Sequence, residues 1–97
     1  MKKAWAYIFA GDLSELKEIV KEVNEIRKDF AKLSLNKYGW TPLHAACYFG
    51  KTDIVKYLIE EKGADPNLSN DNGWHSVIFA VMGGTGYEVL KYLLNMS

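Results

Sequence analysis

An all-helical stack of three short helix–turn–helix units is the fold this sequence predicts, and three observations carry it. Short apolar segments end at glycines that recur along the chain, at Gly11, Gly50 and Gly84. The best-formed copy is punctuated at both ends, with Thr41-Pro42 before its first helix and Gly50 after it. Its helices are too short to be stable alone, so each must bury its stripe against neighbours of the same kind.

The elements follow in order. In the first unit, residues 1–36, Trp5–Ala10 forms a short inner helix, and Leu13, Leu16, Ile19 and Val20 line a second. Val23, Ile26, Phe30 and Leu33 continue a three-to-four-residue apolar spacing. That spacing predicts a helix to about Arg27 and an extra turn near Phe30. Glu18, Lys21, Glu25, Lys28, Asp29 and Lys32 mix both signs on the outer side. A lipid-binding helix would be basic there, so the mixture reads as a solvated face. Met1-Lys2-Lys3 before Ala4–Ala10 has the outline of a signal peptide, but the apolar run is short and ends at Gly11-Asp12.

In the second unit, residues 37–70, Thr41 is placed to cap the free N–H groups. Pro42 occupies the first helical position, where no N–H is needed. Leu43, Ala46 and Cys47 make one stripe; Ile54, Val55, Leu58 and Ile59 make the next, closed by Gly63. In the third unit, residues 71–97, the apolar pattern persists and the caps are lost. His75-Ser76 stands for Thr41-Pro42, and Ile78 stands where His44 stood. Met82-Gly83-Gly84-Thr85-Gly86 reads as a flexible turn that weakens this unit. It lacks the Lys-Ser/Thr of a phosphate-binding loop and follows no strand.

Thr41-Pro42-Leu43-His44, the Ala46-Cys47 pair, Gly50, Ile54-Val55, Leu58-Ile59 and Gly63-Ala64-Asp65-Pro66-Asn67 resemble the ankyrin repeat almost position for position. Two departures are a cysteine at an alanine position and one additional residue between Leu58 and Gly63. The resemblance implies a single all-α ankyrin solenoid over residues 1–97, with degenerate end units. It implies a structural role for His44, bonded near Thr41 and the neighbouring loop. It also implies a concave groove lined by the residues before each helix-ending glycine and around each loop glycine. By position these are Phe9 and Ala10; Lys37, Tyr38, Trp40, Tyr48 and Phe49; then Asp71, Asn72, Trp74 and Met82. The rival expectation is that Trp40 and Trp74 pack over the next loop and that Phe49 is partly buried.

Composition bounds the function. Of 97 residues, 48% are hydrophobic and 25% charged, as in ordinary folded domains. Twelve basic and twelve acidic residues cancel, so no overall field recruits nucleic acid or an anionic membrane. The single cysteine points to a reducing, intracellular and cytoplasmic setting. His44 and Cys47 share a helical face, and His75 follows in the next unit. An enzyme or metal site built on them lacks further ligands or an orienting carboxylate. The expectation is therefore no cofactor and a non-catalytic module that binds another protein through an aromatic groove. The alternative is a segment of a longer array, or one that self-associates, since no polar cap follows Leu94.

Overall fold

The structure, a computed structural model, describes residues 2–26, 30–84 and 87–96. Among these residues there are six α-helices and no strand. They are α1 (Lys2–Ala10), α2 (Leu13–Ile26), α3 (Pro42–Tyr48), α4 (Thr52–Glu60), α5 (Ser76–Gly83) and α6 (Tyr87–Asn95). A single 3-10 turn spans Phe30–Lys32 and buries Phe30 against α2 and α3, the extra turn its apolar spacing predicts. The inner helices α1, α3 and α5 lie side by side; α2, α4 and α6 back them, with α4 meeting α6. Arg27, Lys28, Asp29, Thr85 and Gly86, on which some sequence expectations fall, lie outside the described residues.

Several helix ends have a local cause. The turns after α1 and α3 are alike. The N–H of Gly11 donates to the Ile8 carbonyl (3.0 Å) and that of Asp12 to Tyr7 (2.9 Å); Gly50 and Lys51 donate to Cys47 (3.2 Å) and Ala46 (2.9 Å). This pairing satisfies carbonyls that the helix end leaves free. After α4 the Ala64 N–H reaches back to Leu58 (2.9 Å), one residue further than in those turns, which absorbs the additional residue there. Asp12 caps α2 by accepting from the Glu15 N–H at 3.2 Å.

Thr41 starts α3 with a capping box. Its hydroxyl accepts from the His44 N–H (3.3 Å), and the His44 Nδ1 accepts from the Thr41 N–H (3.1 Å). The start of α5 has no such device, because His75 makes no side-chain cap. The Ser76 N–H donates to the Pro66 carbonyl at 3.3 Å instead.

The core is continuous through all three helix pairs. Ala4, Ile8, Leu16 and Val20 come from the first, Leu43, Ala46, Cys47, Ile54, Val55 and Leu58 from the second, and Phe79, Ala80, Val89 and Leu93 from the third. The second pair is buried on both sides, the usual state of an inner unit in a stack.

Gly83 departs from the sequence reading. It is the last residue of α5 and not part of a flexible turn. A Cβ there would lie 1.9 Å from the Tyr48 carbonyl oxygen, so the glycine lets α5 pack directly on the α3 backbone. Gly84 then closes the helix in the left-handed conformation. No helix among the described residues is long and apolar enough to cross a membrane.

Candidate functional site

Two loops and the ends of the inner helices build the site. The loop before α3 is held by Asn36, whose Oδ1 accepts from the N–H groups of Tyr38 (3.0 Å) and Trp40 (3.2 Å). Asn70 does the same before α5, accepting from Asn72 (3.1 Å) and Trp74 (2.9 Å). Gly39 and Gly73, with φ of 80° and 79°, turn each loop through a conformation that side chains disfavour. The loops stack because the Asp71 N–H donates to the Tyr38 carbonyl at 3.3 Å. A Cβ on Gly39 would approach the exposed Asp71 carboxylate oxygen to 2.6 Å and the Asp71 amide nitrogen to 3.2 Å, so a side chain there would crowd the stacked loops.

Above the loops the aromatic rings form one continuous run. Phe9 meets Phe49 edge-on at 4.9 Å, and Phe49 meets Trp5 at 5.4 Å and Tyr48 at 5.4 Å. Trp40 lies 5.5 Å from Trp5, 5.1 Å from Tyr48 and 4.6 Å from Phe79. Trp74 closes the run on Phe79 at 5.4 Å. Edge-on and tilted contacts at these separations suit the ring quadrupoles and stiffen the surface they line.

The expected groove residues divide by burial. Phe9 (59% exposed), Tyr38 (51%) and Met82 (56%) are open, as are Lys37, Asp71 and Asn72. Trp40, Tyr48, Phe49 and Trp74 are half-buried and engaged with other rings, with both tryptophans against Phe79. The Lys37 ammonium sits 5.3 Å from the Tyr38 ring. Met82 is exposed on α5 beside Gly83, and Ala10 is exposed at the end of α1.

Sequence reasoning missed the rings beneath this surface, Trp5 and Phe79, and the loop anchors Asn36 and Asn70. The anchors had a legible signal, since Asn36-x-x-Gly39-Trp40 recurs as Asn70-x-x-Gly73-Trp74. Phe79 had none, because it occupies the position that Ala45 fills one unit earlier.

The residues with catalytic potential are committed elsewhere. His44 is buried, and its Nδ1 accepts from Thr41, so Nε2 carries the proton and donates to the Leu68 carbonyl at 2.8 Å. Its ring stacks on Phe79 at 4.6 Å, and desolvation by burial holds its pKa below the ordinary 6.5. Burial pushes the Cys47 thiol up to about 12, opposed weakly by the Ser76 hydroxyl beside it. Among the described residues, no group of three or more His, Cys, Asp or Glu side chains converges as a metal site would.

Comparison with known proteins agrees with this architecture. The family model for ankyrin repeats (3 copies) matches residues 5–97. Protein phosphatase 1 regulatory subunit 27 of Homo sapiens is 39% identical over 66 residues, which are 68% of this chain and 38% of that protein. The chain thus matches well under half of that relative's length. The Notch-regulated ankyrin repeat-containing protein of Homo sapiens is 30% identical over 87 residues, 90% of this chain and 73% of its own. Among solved structures, a chain in the complex of yeast ribosomal protein Rps3 with its chaperone Yar1 superposes with a TM-score of 0.83 at 30% identity. It covers 97% of this chain and 65% of that one. With the helix pair repeating three times, the anchored loop twice, and the family model matching nearly end to end, the chain belongs to the ankyrin-repeat family.

Proposed function

We propose that this chain is a non-catalytic recognition module that holds another protein on the face made by its loop tips and inner-helix ends. Ankyrin repeats are generally protein–protein interaction modules, and the one observation that carries the reading here is the aromatic surface. Phe9, Tyr38 and Met82 stand exposed beside a continuous run of rings packed edge-on and tilted against one another. Such a surface places little side-chain entropy at stake on binding, and rigid aromatic anchors of this type dominate binding energy.

Within the face the roles differ. Phe9, Tyr38 and Met82 make the contacts, Lys37, Asp71 and Asn72 form a polar rim, and Trp40, Tyr48, Phe49 and Trp74 support them from below. The binding of a second protein by a similar chain, as in the complex of Rps3 with Yar1, supports the reading by analogy. A buried, proton-bearing thiol and a histidine with both ring nitrogens bonded support a scaffold over an enzyme, and suit a reducing cytoplasm.

The test pairs affinity capture from lysate with a thermal melt on the same variants. Tyr38→Ala and Met82→Ala each remove an exposed anchor worth about 2 kcal/mol, enough to lower affinity more than tenfold with the melt unchanged. Trp40→Ala lowers binding and stability together, because it opens contacts to Trp5, Tyr48 and Phe79. Undiminished capture by both exposed-site variants refutes the reading. A second reading, self-association, is favoured by the exposed Val81 (58%) and Leu94 (57%) of the third helix pair.

A further inference from the structure

Asparagines anchor both loops, and a further asparagine stands at the tip of the second. Asn36 and Asn70 are committed, since each Oδ1 accepts two backbone N–H groups. Asn72 differs. It is exposed, and its side-chain amide makes no hydrogen bond among the described residues. Gly73 follows it, and no other asparagine of the chain precedes a glycine. In the loop before α3 the same place is filled by Tyr38, which has no amide to react.

An asparagine before glycine carries a reaction of its own. The backbone nitrogen of Gly73 attacks the Asn72 Cγ, and its proton passes through water to the side-chain nitrogen, which leaves as ammonia. The new N–C bond closes a five-membered imide. Water then opens the ring at either carbonyl, giving aspartate or, with the main chain rerouted through Cγ, isoaspartate. One water is consumed, one ammonia is released, and nothing is oxidised. Glycine assists because no Cβ crowds the attacking nitrogen. A Cβ built on Gly73 would meet nothing within 4 Å beyond its chain neighbours, so the ring has room to form. The folded loop restrains the attack without forbidding it. The Gly73 N–H donates to the Asn70 carbonyl at 3.0 Å, and the Asn70 Oδ1 holds the N–H groups of Asn72 (3.1 Å) and Trp74 (2.9 Å). The tip that must open is small and wet, since Asp71, Asn72 and Gly73 are all exposed. Exposed bonds of this kind break in local openings that leave the core folded.

We propose that Asn72 is a site of spontaneous deamidation, and that opening of the Asn70-anchored loop sets its rate. The isoaspartyl product adds a methylene to the main chain between two N–H groups that the Asn70 Oδ1 holds. The loop then no longer fits its anchor, and Trp74 loosens from Phe79, which it meets at 5.4 Å. Either product sets a carboxylate beside Asp71 and takes the formal net charge from zero to minus one. The inference is independent of the recognition reading, because it is tested on the chain alone.

The purified 97-residue chain is aged at mildly alkaline pH and followed by isoelectric focusing and peptide mapping, with isoaspartate labelled by an isoaspartyl methyltransferase. The expected result is a species more acidic than the parent, whose pI is about 6.7, with isoaspartate first appearing in the peptide that holds Asn72. Asn72→Gln gives neither, because its longer side chain does not close the five-membered ring. Asn70→Asp keeps both oxygen acceptors and the parent rate, whereas Asn70→Ala removes them and raises the rate several-fold. The wild-type chain unfolded in urea, which has no loop to open, also reacts several-fold faster and gives the comparison without a variant. A folded chain whose Asn72 stays intact while the unfolded chain reacts there overturns the proposal, as does isoaspartate appearing first at another asparagine. Equal rates in the folded and unfolded chains, or equal acceleration by Asn70→Asp and Asn70→Ala, overturn the control by the loop.

Discussion

Alanine at position 83 sets two physical arguments against each other. Helix propensity alone favours it, because replacing glycine inside a helix gains up to about 1 kcal/mol. The packing of α5 opposes it. The new Cβ would stand 1.9 Å from the Tyr48 carbonyl oxygen, 2.8 Å from its carbonyl carbon and 3.0 Å from its Cα. These are backbone atoms in the last turn of α3, so no side chain can swing aside. Restoring even a close contact requires α5 to retreat by about 1 Å, and overpacking of this kind costs about 1–3 kcal/mol. The retreat also loosens Phe79, which α5 inserts against His44, Trp40 and Trp74. The net expectation for Gly83→Ala is a loss of about 1–2 kcal/mol, or a melting temperature lower by about 5–15 °C for a domain of this size. Urea and thermal melts measure it, with Trp fluorescence reporting the displaced rings. Gly84→Ala is the control, since its cost comes from a φ of 69° in open space and leaves the ring run unmoved. A Gly83→Ala chain that melts at or above the wild-type temperature refutes the close-packing argument.

Further outcomes test the helix caps and the buried histidine. Thr41→Ala removes the acceptor for the His44 N–H and costs about 1–2 kcal/mol in a denaturant melt, whereas His75→Thr supplies a missing cap and is neutral or stabilising. Because burial lowers the folded-state pKa of His44, the unfolded chain takes up a proton first as pH falls through 6.5. Stability from this group is therefore complete above that pH and declines below it by at most about 1.4 kcal/mol per pH unit until the folded histidine also protonates. His44→Gln keeps a capping residue at that position and removes the decline; equal pH dependence in both chains contradicts the assignment.

The sequence disclosed most where chemistry is local. Thr41, Pro42, Gly50 and Gly63 act through their own backbone neighbours, so their roles follow from residue type and spacing. The role of His44 was readable for the same reason on the Thr41 side, and through the family resemblance on the Leu68 side. Legibility failed where residues distant in the chain meet. Gly83 looks like punctuation until the Tyr48 carbonyl is brought beside it. Phe79 fills the position of a small residue, and only the stacked helices show that His44, Trp40 and Trp74 surround it. The same gap explains the groove residues: position gave the face they lie on, but burial depended on rings contributed by Trp5 and Phe79.

The two asparagine-anchored loops separate what holds the surface from what it displays. Their closing bonds run from Asn36 and Asn70 to backbone N–H groups, and the bond between loops joins the Asp71 N–H to the Tyr38 carbonyl. None of these bonds passes through the side chains of Lys37, Tyr38, Asp71 or Asn72. Those four positions therefore behave as interchangeable cassettes on a fixed frame. Selection or laboratory grafting can rewrite the side chains that the tips display while Gly39, Gly73 and the two asparagines keep the architecture, so a new surface is reachable without first relearning how to fold.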